Sequence, residues 1–158
     1  MTKSPRMRPY RSLTAAVALV ALATLLTSCA SSKSYTADAL PEEQLHFRWG
    51  GGFTGEFQSY LLLPNGQLFH KREVIEELPY REVEPIDKKT AKELFETYDK
   101  QGFGALGYDE PGNVTYIVTR VTGADSTQLT WGGTGVKPEQ EVQTYWRRAM
   151  GLFEGKGD

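Results

Sequence analysis

The feature that most limits what this chain can build is its first 28 residues, because they do not read as part of any fold. Lys3, Arg6, Arg8 and Arg11 give a basic start with no acidic residue, residues 13–26 are almost wholly apolar, and small residues lead to Cys29. A basic region, a short apolar region and small residues, in that order, make a secretory signal. A transmembrane helix is the competing reading, but the apolar run is 14 residues long against the roughly 20 that a span requires. Residues 1–28 are therefore expected to be a cleaved signal peptide, and the fold must come from the residues after them. Cys29 is the only cysteine, so an internal disulfide is impossible.

Removing the signal takes away 4 of the 18 basic residues and none of the 20 acidic ones, which leaves 14 against 20 and a net charge of −6. A domain of that sign is a poor candidate for nucleic acid, which demands a basic face to neutralise phosphates. Residues 30–44 are small, polar and acidic, without an apolar period. Together with Cys29 they are expected to form a flexible tether, with a reach on the order of 20 Å. The competing reading is an ordered arm on the domain, for which Tyr35 and Leu40 are the only anchors.

Residues 45–158 are expected to be a single globular domain. Residues 45–49 form a short extended run that ends in glycines, and residues 56–63 are aromatic and aliphatic, as a strand should be. Pro64, Asn65, Gly66 and Gln67 signal a tight turn, after which residues 68–71 should pair back. Residues 73–84 are charged and broken by Pro79, which suits an edge strand or a loop. Asp87 can cap a helix whose apolar stripe is Ala91, Leu94, Phe95 and Tyr98, and Gly102 suits its stop. Residues 114–121 are rich in β-branched residues and predict a central strand, which Gly123 turns into residues 126–131. Pro138 opens a second helix with Val142, Tyr145, Trp146, Ala149 and Phe153 on its buried side. Strand, hairpin, helix, hairpin, helix predicts an α+β fold: a small antiparallel sheet built from hairpins, with two amphipathic helices packed on one face.

Catalytic and metal-binding chemistry finds little support. His46 and His70 are not at metal-ligand spacing, and there is no pair of cysteines, so no metal or cofactor is expected. The two histidines read as ordinary strand residues, although strands could bring them together across a sheet. Glu73, Glu76, Glu77, Glu82 and Glu84 read as a solvated face, with paired hydrolytic carboxylates as the alternative. No nucleophile elbow is present. The chain is expected not to be an enzyme.

The distinctive feature is the run Trp49, Gly50, Gly51, Gly52, Phe53, Thr54, Gly55, echoed by Trp131, Gly132, Gly133. Gly50, Gly52 and Gly55 match a nucleotide-binding spacing by letter, but that motif works through a helix N-terminus, and here a strand is predicted to come next. Two readings remain. The glycines form bulges that bend the sheet while Phe53 packs inward, or they form a binding loop in which Phe53 is an aromatic anchor. The candidate loop is Gly51, Gly52, Phe53, Thr54 and Gly55 with Trp131, Gly132 and Gly133.

Leu26, Thr27, Ser28 and Cys29 resemble the lipobox of bacterial lipoproteins. That resemblance implies a lipid on the Cys29 sulfur, cleavage before it, and attachment to the cell envelope. Ala30 and Ser31, with no Asp after the cysteine, imply the outer membrane. A single acyl chain holds weakly and two or three hold stably, at about 0.8 kcal/mol per buried CH₂. Further along, Gly51 to Gly55, then Pro111, Gly112, Asn113, then Trp131 and Gly132 resemble a set of small uncharacterised bacterial lipoproteins. The same order is similar to emfourin-type inhibitors of thermolysin-like metalloproteases, with this chain adding a signal, an acidic insertion at 73–84 and a second Trp-Gly cluster. The resemblance implies a protease inhibitor with its contact surface near Gly51 to Gly55. The expected role is thus a lipid-anchored, non-catalytic envelope domain whose partners are the membrane, through Cys29, and a protease or envelope protein. The alternatives are a structural lipoprotein that binds a membrane protein or cell-wall polymer, and a hydrolase using acidic residues.

Overall fold

A computed structural model describes residues 33–73, 78–132 and 137–157. The signal peptide and Cys29 lie outside the described residues, as do Gly133, Glu76 and Glu77. One compact unit spans Lys33–Asp158.

Among the described residues six strands make one antiparallel sheet. They are β1 (Glu43–Gly51), β2 (Glu56–Leu62), β3 (Leu68–Glu73), β4 (Arg81–Val83), β5 (Val114–Thr122) and β6 (Asp125–Trp131). Their order is β4-β3-β2-β1-β5-β6. The helices are α1 (Lys88–Lys100) and α2 (Gln140–Phe153), with a short 3-10 turn at Phe103–Ala105.

The α+β expectation is corrected. Among the described residues sheet predominates: strands of nine, seven, six, three, nine and seven residues outweigh helices of 13 and 14. The physical reason is β1. A stretch that reads as a short extended run is a nine-residue strand, and it pairs with β2 on one side and β5 on the other. It welds the two hairpins into one continuous sheet instead of leaving a small platform under two helices.

Pairing register decides which side chains share a face, because directly opposed residues point the same way. Phe47 lies opposite Tyr60 and Val118, and Tyr60 opposite His70, so these four point to one side. That side meets Leu94, Phe95 and Tyr98 of α1 and Val142, Tyr145, Ala149 and Phe153 of α2 in the principal core. Full burial of a side chain such as Phe47 is worth about 1.5–3 kcal/mol. Asp87 caps α1 as its chemistry suggests, its carboxylate accepting from the Thr90 amide at 2.9 Å.

Residues 33–42 depart from the expected tether. Tyr35, Ala37 and Leu40 pack on Leu61, Leu63 and Phe69, on the sheet face that the principal core leaves open. Gln67 clamps the arm: its side-chain oxygen accepts from the Tyr35 amide at 2.8 Å, and its nitrogen donates to the Tyr35 carbonyl at 3.1 Å. The competing reading of an ordered arm is therefore the one observed from Lys33 onward. The turn before Gln67 also differs from a two-residue type I′ turn. Such a turn needs positive φ at both central residues, and here Gly66 has φ 94° while no residue other than glycine has positive φ among the described residues. The Leu63 amide donates to the Gln67 carbonyl, closing a three-residue loop instead.

Candidate binding site at one end of the sheet

β1 ends, β2 begins, β5 begins and β6 ends at the same end of the sheet. Antiparallel pairing therefore gathers three segments that lie far apart in sequence: the Gly51 to Gly55 loop, the Pro111 to Asn113 loop, and Trp131 with Gly132. The entrance to β5 is gripped from both sides. A β-carbon at Gly51, where φ is 102°, would lie 2.6 Å from the Asn113 carbonyl oxygen. A β-carbon at Gly132, where φ is 140°, would lie 2.0 Å from the Val114 carbonyl oxygen. Neither position tolerates a side chain, and the Gly52 amide donates to the Asn113 carbonyl to complete the seam. The glycines thus let three backbones lie in contact.

This seam holds the base of the loop at Gly51 and Gly52, and Phe53 is the next residue. Its ring is fully exposed, at 107 % of the reference surface. Thr54 and Gly55 beside it are exposed, and Gly51 and Gly52 half-buried. The Thr54 hydroxyl accepts from the Glu56 amide at 3.3 Å, turning the chain into β2. Val114, also exposed, borders Gly52. The bulge and the binding loop are thus compatible: the glycines shape the end of the sheet, while Phe53 does not pack inward.

Trp131 belongs to a different environment. It is buried, stacks on Tyr116 with ring centroids 5.7 Å apart, and meets the edge of Trp146 at 5.4 Å. It supports the site from beneath and offers no contact surface. What the sequence did not reveal is the row it closes. Gln58, Trp49, Tyr116 and Trp131 sit directly opposite one another across β2, β1, β5 and β6. Alternation within each strand hinted at their common direction; only the register shows that they are neighbours.

The histidines do not meet. His46 lies opposite Leu61 and shares the face of the N-terminal arm, whereas His70 lies opposite Tyr60 on the core side. Burial, and secondarily the Lys71 charge, lower the His46 pKa from 6.5 to about 4. Its Nε2 is 2.8 Å from the Gln44 side-chain oxygen. On the same face Glu73 accepts from Arg48 at 2.8 Å and pairs with Lys71 at 2.8 Å. Burial pushes the Glu73 pKa up, but hydrogen bonds from Lys71 and Arg48 prevail and hold it below the usual carboxylate range. Glu82 accepts from Gln67 and Glu84 pairs with Lys156. Among the described residues of this acidic set, Glu73 and Glu84 therefore sit in separate ion pairs and Glu82 accepts from an amide. Among the described residues no group of acidic, histidine or cysteine side chains is arranged to hold a metal ion, and no helix is long and apolar enough to cross a membrane.

No protein-family model matches this chain, and neither does any curated protein sequence.

Proposed function

We propose that this chain is a lipid-anchored, non-catalytic binding domain of the bacterial cell envelope, attached to the outer membrane through Cys29, and that it inhibits a protease through the Phe53 loop. The observation that carries the reading is the exposed Phe53 ring beside a backbone held at Gly51 and Gly52. A loop whose base is fixed has less conformational freedom to lose on binding, which lowers the entropic cost of seating its aromatic side chain in a pocket. An extended protease cleft with an apolar subsite is a matching partner. The similarity of Gly51 to Gly55 to emfourin-type inhibitors points to the thermolysin-like class.

The test is inhibition of thermolysin-like proteases by the intact protein recovered from cells. Inhibition at micromolar concentration is expected, and it should disappear in Phe53→Ala while the melting profile stays intact. Absence of inhibition by the unaltered protein removes the protease assignment. Attachment is tested separately: radiolabelled fatty acid should be incorporated by the unaltered chain and not by Cys29→Ala.

A further inference from the structure

Beside the Phe53 end of the sheet, the row Gln58, Trp49, Tyr116 does not run wholly into the core. Trp49, Tyr116 and Trp146 are each half-buried, and with the second half of α2 they line a cleft of about 760 Å³. Sites for small molecules commonly occupy about 300–1,000 Å³. We propose that this cleft binds a neutral oligosaccharide, its pyranose rings lying against the aromatic row. Neither the Phe53 loop nor the lipid anchor is needed for this binding.

The chemistry of the lining selects the ligand class. Trp146 stands at 83° to Trp49 and at 80° to Tyr116, with centroids 6.0 and 5.5 Å apart. The result is a corner of apolar ring surface suited to the C–H face of a sugar. Hydroxyl groups at the sugar's edge require both donors and acceptors, and the rim has both. The Gln58 side chain is held by His70 at 2.8 Å through its oxygen and by Glu56 at 2.9 Å through its nitrogen. Each of those atoms retains capacity for one more hydrogen bond. Among the described residues Arg147 makes long contacts, 3.4 Å to the Gln143 carbonyl and 3.5 Å to the Thr144 hydroxyl, so its guanidinium can turn to a ligand. Glu154, two turns further along and at the end of α2, adds a carboxylate to the lining.

The same features argue against other classes. Peptides that add to a sheet need an unpaired strand edge, but β2, β1 and β5 are interior strands with both edges paired. The C-terminal end of α2 borders the cleft, so the negative pole of the helix faces an incoming ligand and opposes an anion. For an organic cation the charges are divided, Arg147 against it and Glu154 with the helix pole for it, and the choline probe decides that case.

Ligand-observed saturation-transfer NMR and tryptophan fluorescence on the intact protein test this, in a polyoxyethylene detergent because sugar-based detergents would compete. The probes are chitotriose, cellotriose, choline and a phenylalanine-containing tripeptide. At least one trisaccharide should bind and perturb the fluorescence. Gln58→Ala or Arg147→Ala should weaken it at least about 10-fold with cooperative unfolding retained, and Phe53→Ala should leave it unchanged. No saccharide binding at millimolar concentration overturns the proposal. So does binding of choline or the tripeptide in place of sugar, or saccharide binding that both cleft variants leave undiminished.

Discussion

Acid should destabilise this protein through His46 before it acts through the carboxylates. The imidazole titrates near 4 in the folded chain because it is buried beside Lys71, and near 6.5 when unfolded. Between those values the unfolded state binds the extra proton, so stability falls as pH falls through that window. The difference amounts to about 2 kcal/mol lost between pH 8 and pH 5 from this one group. Glu73 works in the same direction at lower pH, since its pKa is held down by Lys71 and Arg48. Its contribution disappears only as pH drops below the unfolded carboxylate value, and His70 is common to both proteins, so the difference between the unaltered protein and His46→Gln across pH 8 to pH 5 reports His46. Urea unfolding across that range should show a steeper loss of stability in the unaltered protein than in His46→Gln. The glutamine keeps a donor for the 2.8 Å contact with Gln44 and cannot titrate. Identical pH dependence in the two proteins would falsify the assignment of a buried, neutral His46.

Three further perturbations test the architecture of the site. Gly132→Ala places a β-carbon 2.0 Å from the Val114 carbonyl oxygen at a φ of 140°; it should cost about 2–4 kcal/mol, read by chemical denaturation. Phe53→Ala removes a ring that touches solvent and should shift stability by less than about 0.5 kcal/mol. Gln67→Ala deletes both bonds to Tyr35. It should cost about 1–3 kcal/mol and speed proteolytic cleavage within residues 33–40, measured by mass spectrometry of the fragments.

Local physics was legible from the sequence and pairing was not. The Asp87 cap and the stripe Ala91, Leu94, Phe95, Tyr98 depend on neighbours one helical turn away, and the structure has them where spacing placed them. β1 is different. Its length and central position are set by β2 and by β5, the latter more than 60 residues downstream, and nothing in residues 43–51 announces two partners. That non-local pairing turned an expected small platform into a six-stranded sheet. The arm failed to read as ordered for a similar reason. Tyr35 and Leu40 were visible as its anchors, but the clamp is Gln67, some thirty residues away.

The candidate loop shows both outcomes at once. Phe53 lies between glycines with no alternating partner, and it is exposed. The sequence groups Trp131 with the loop because the glycines after it echo those after Trp49. Yet Leu129 and Trp131 alternate within β6, and that period already placed Trp131 on the buried side with Leu129. The echo was a similarity of backbone geometry, glycine where strands converge, and not of side-chain role.

Everything proposed for the loop turns on Phe53 being the contact point for a partner. A photoreactive phenylalanine analogue at position 53 in living cells tests this directly, with Leu78, another exposed apolar residue, as the comparison site. A discrete protein adduct from position 53 that is absent from position 78 is the predicted result. Equal labelling from both positions, or no adduct from position 53, would contradict it.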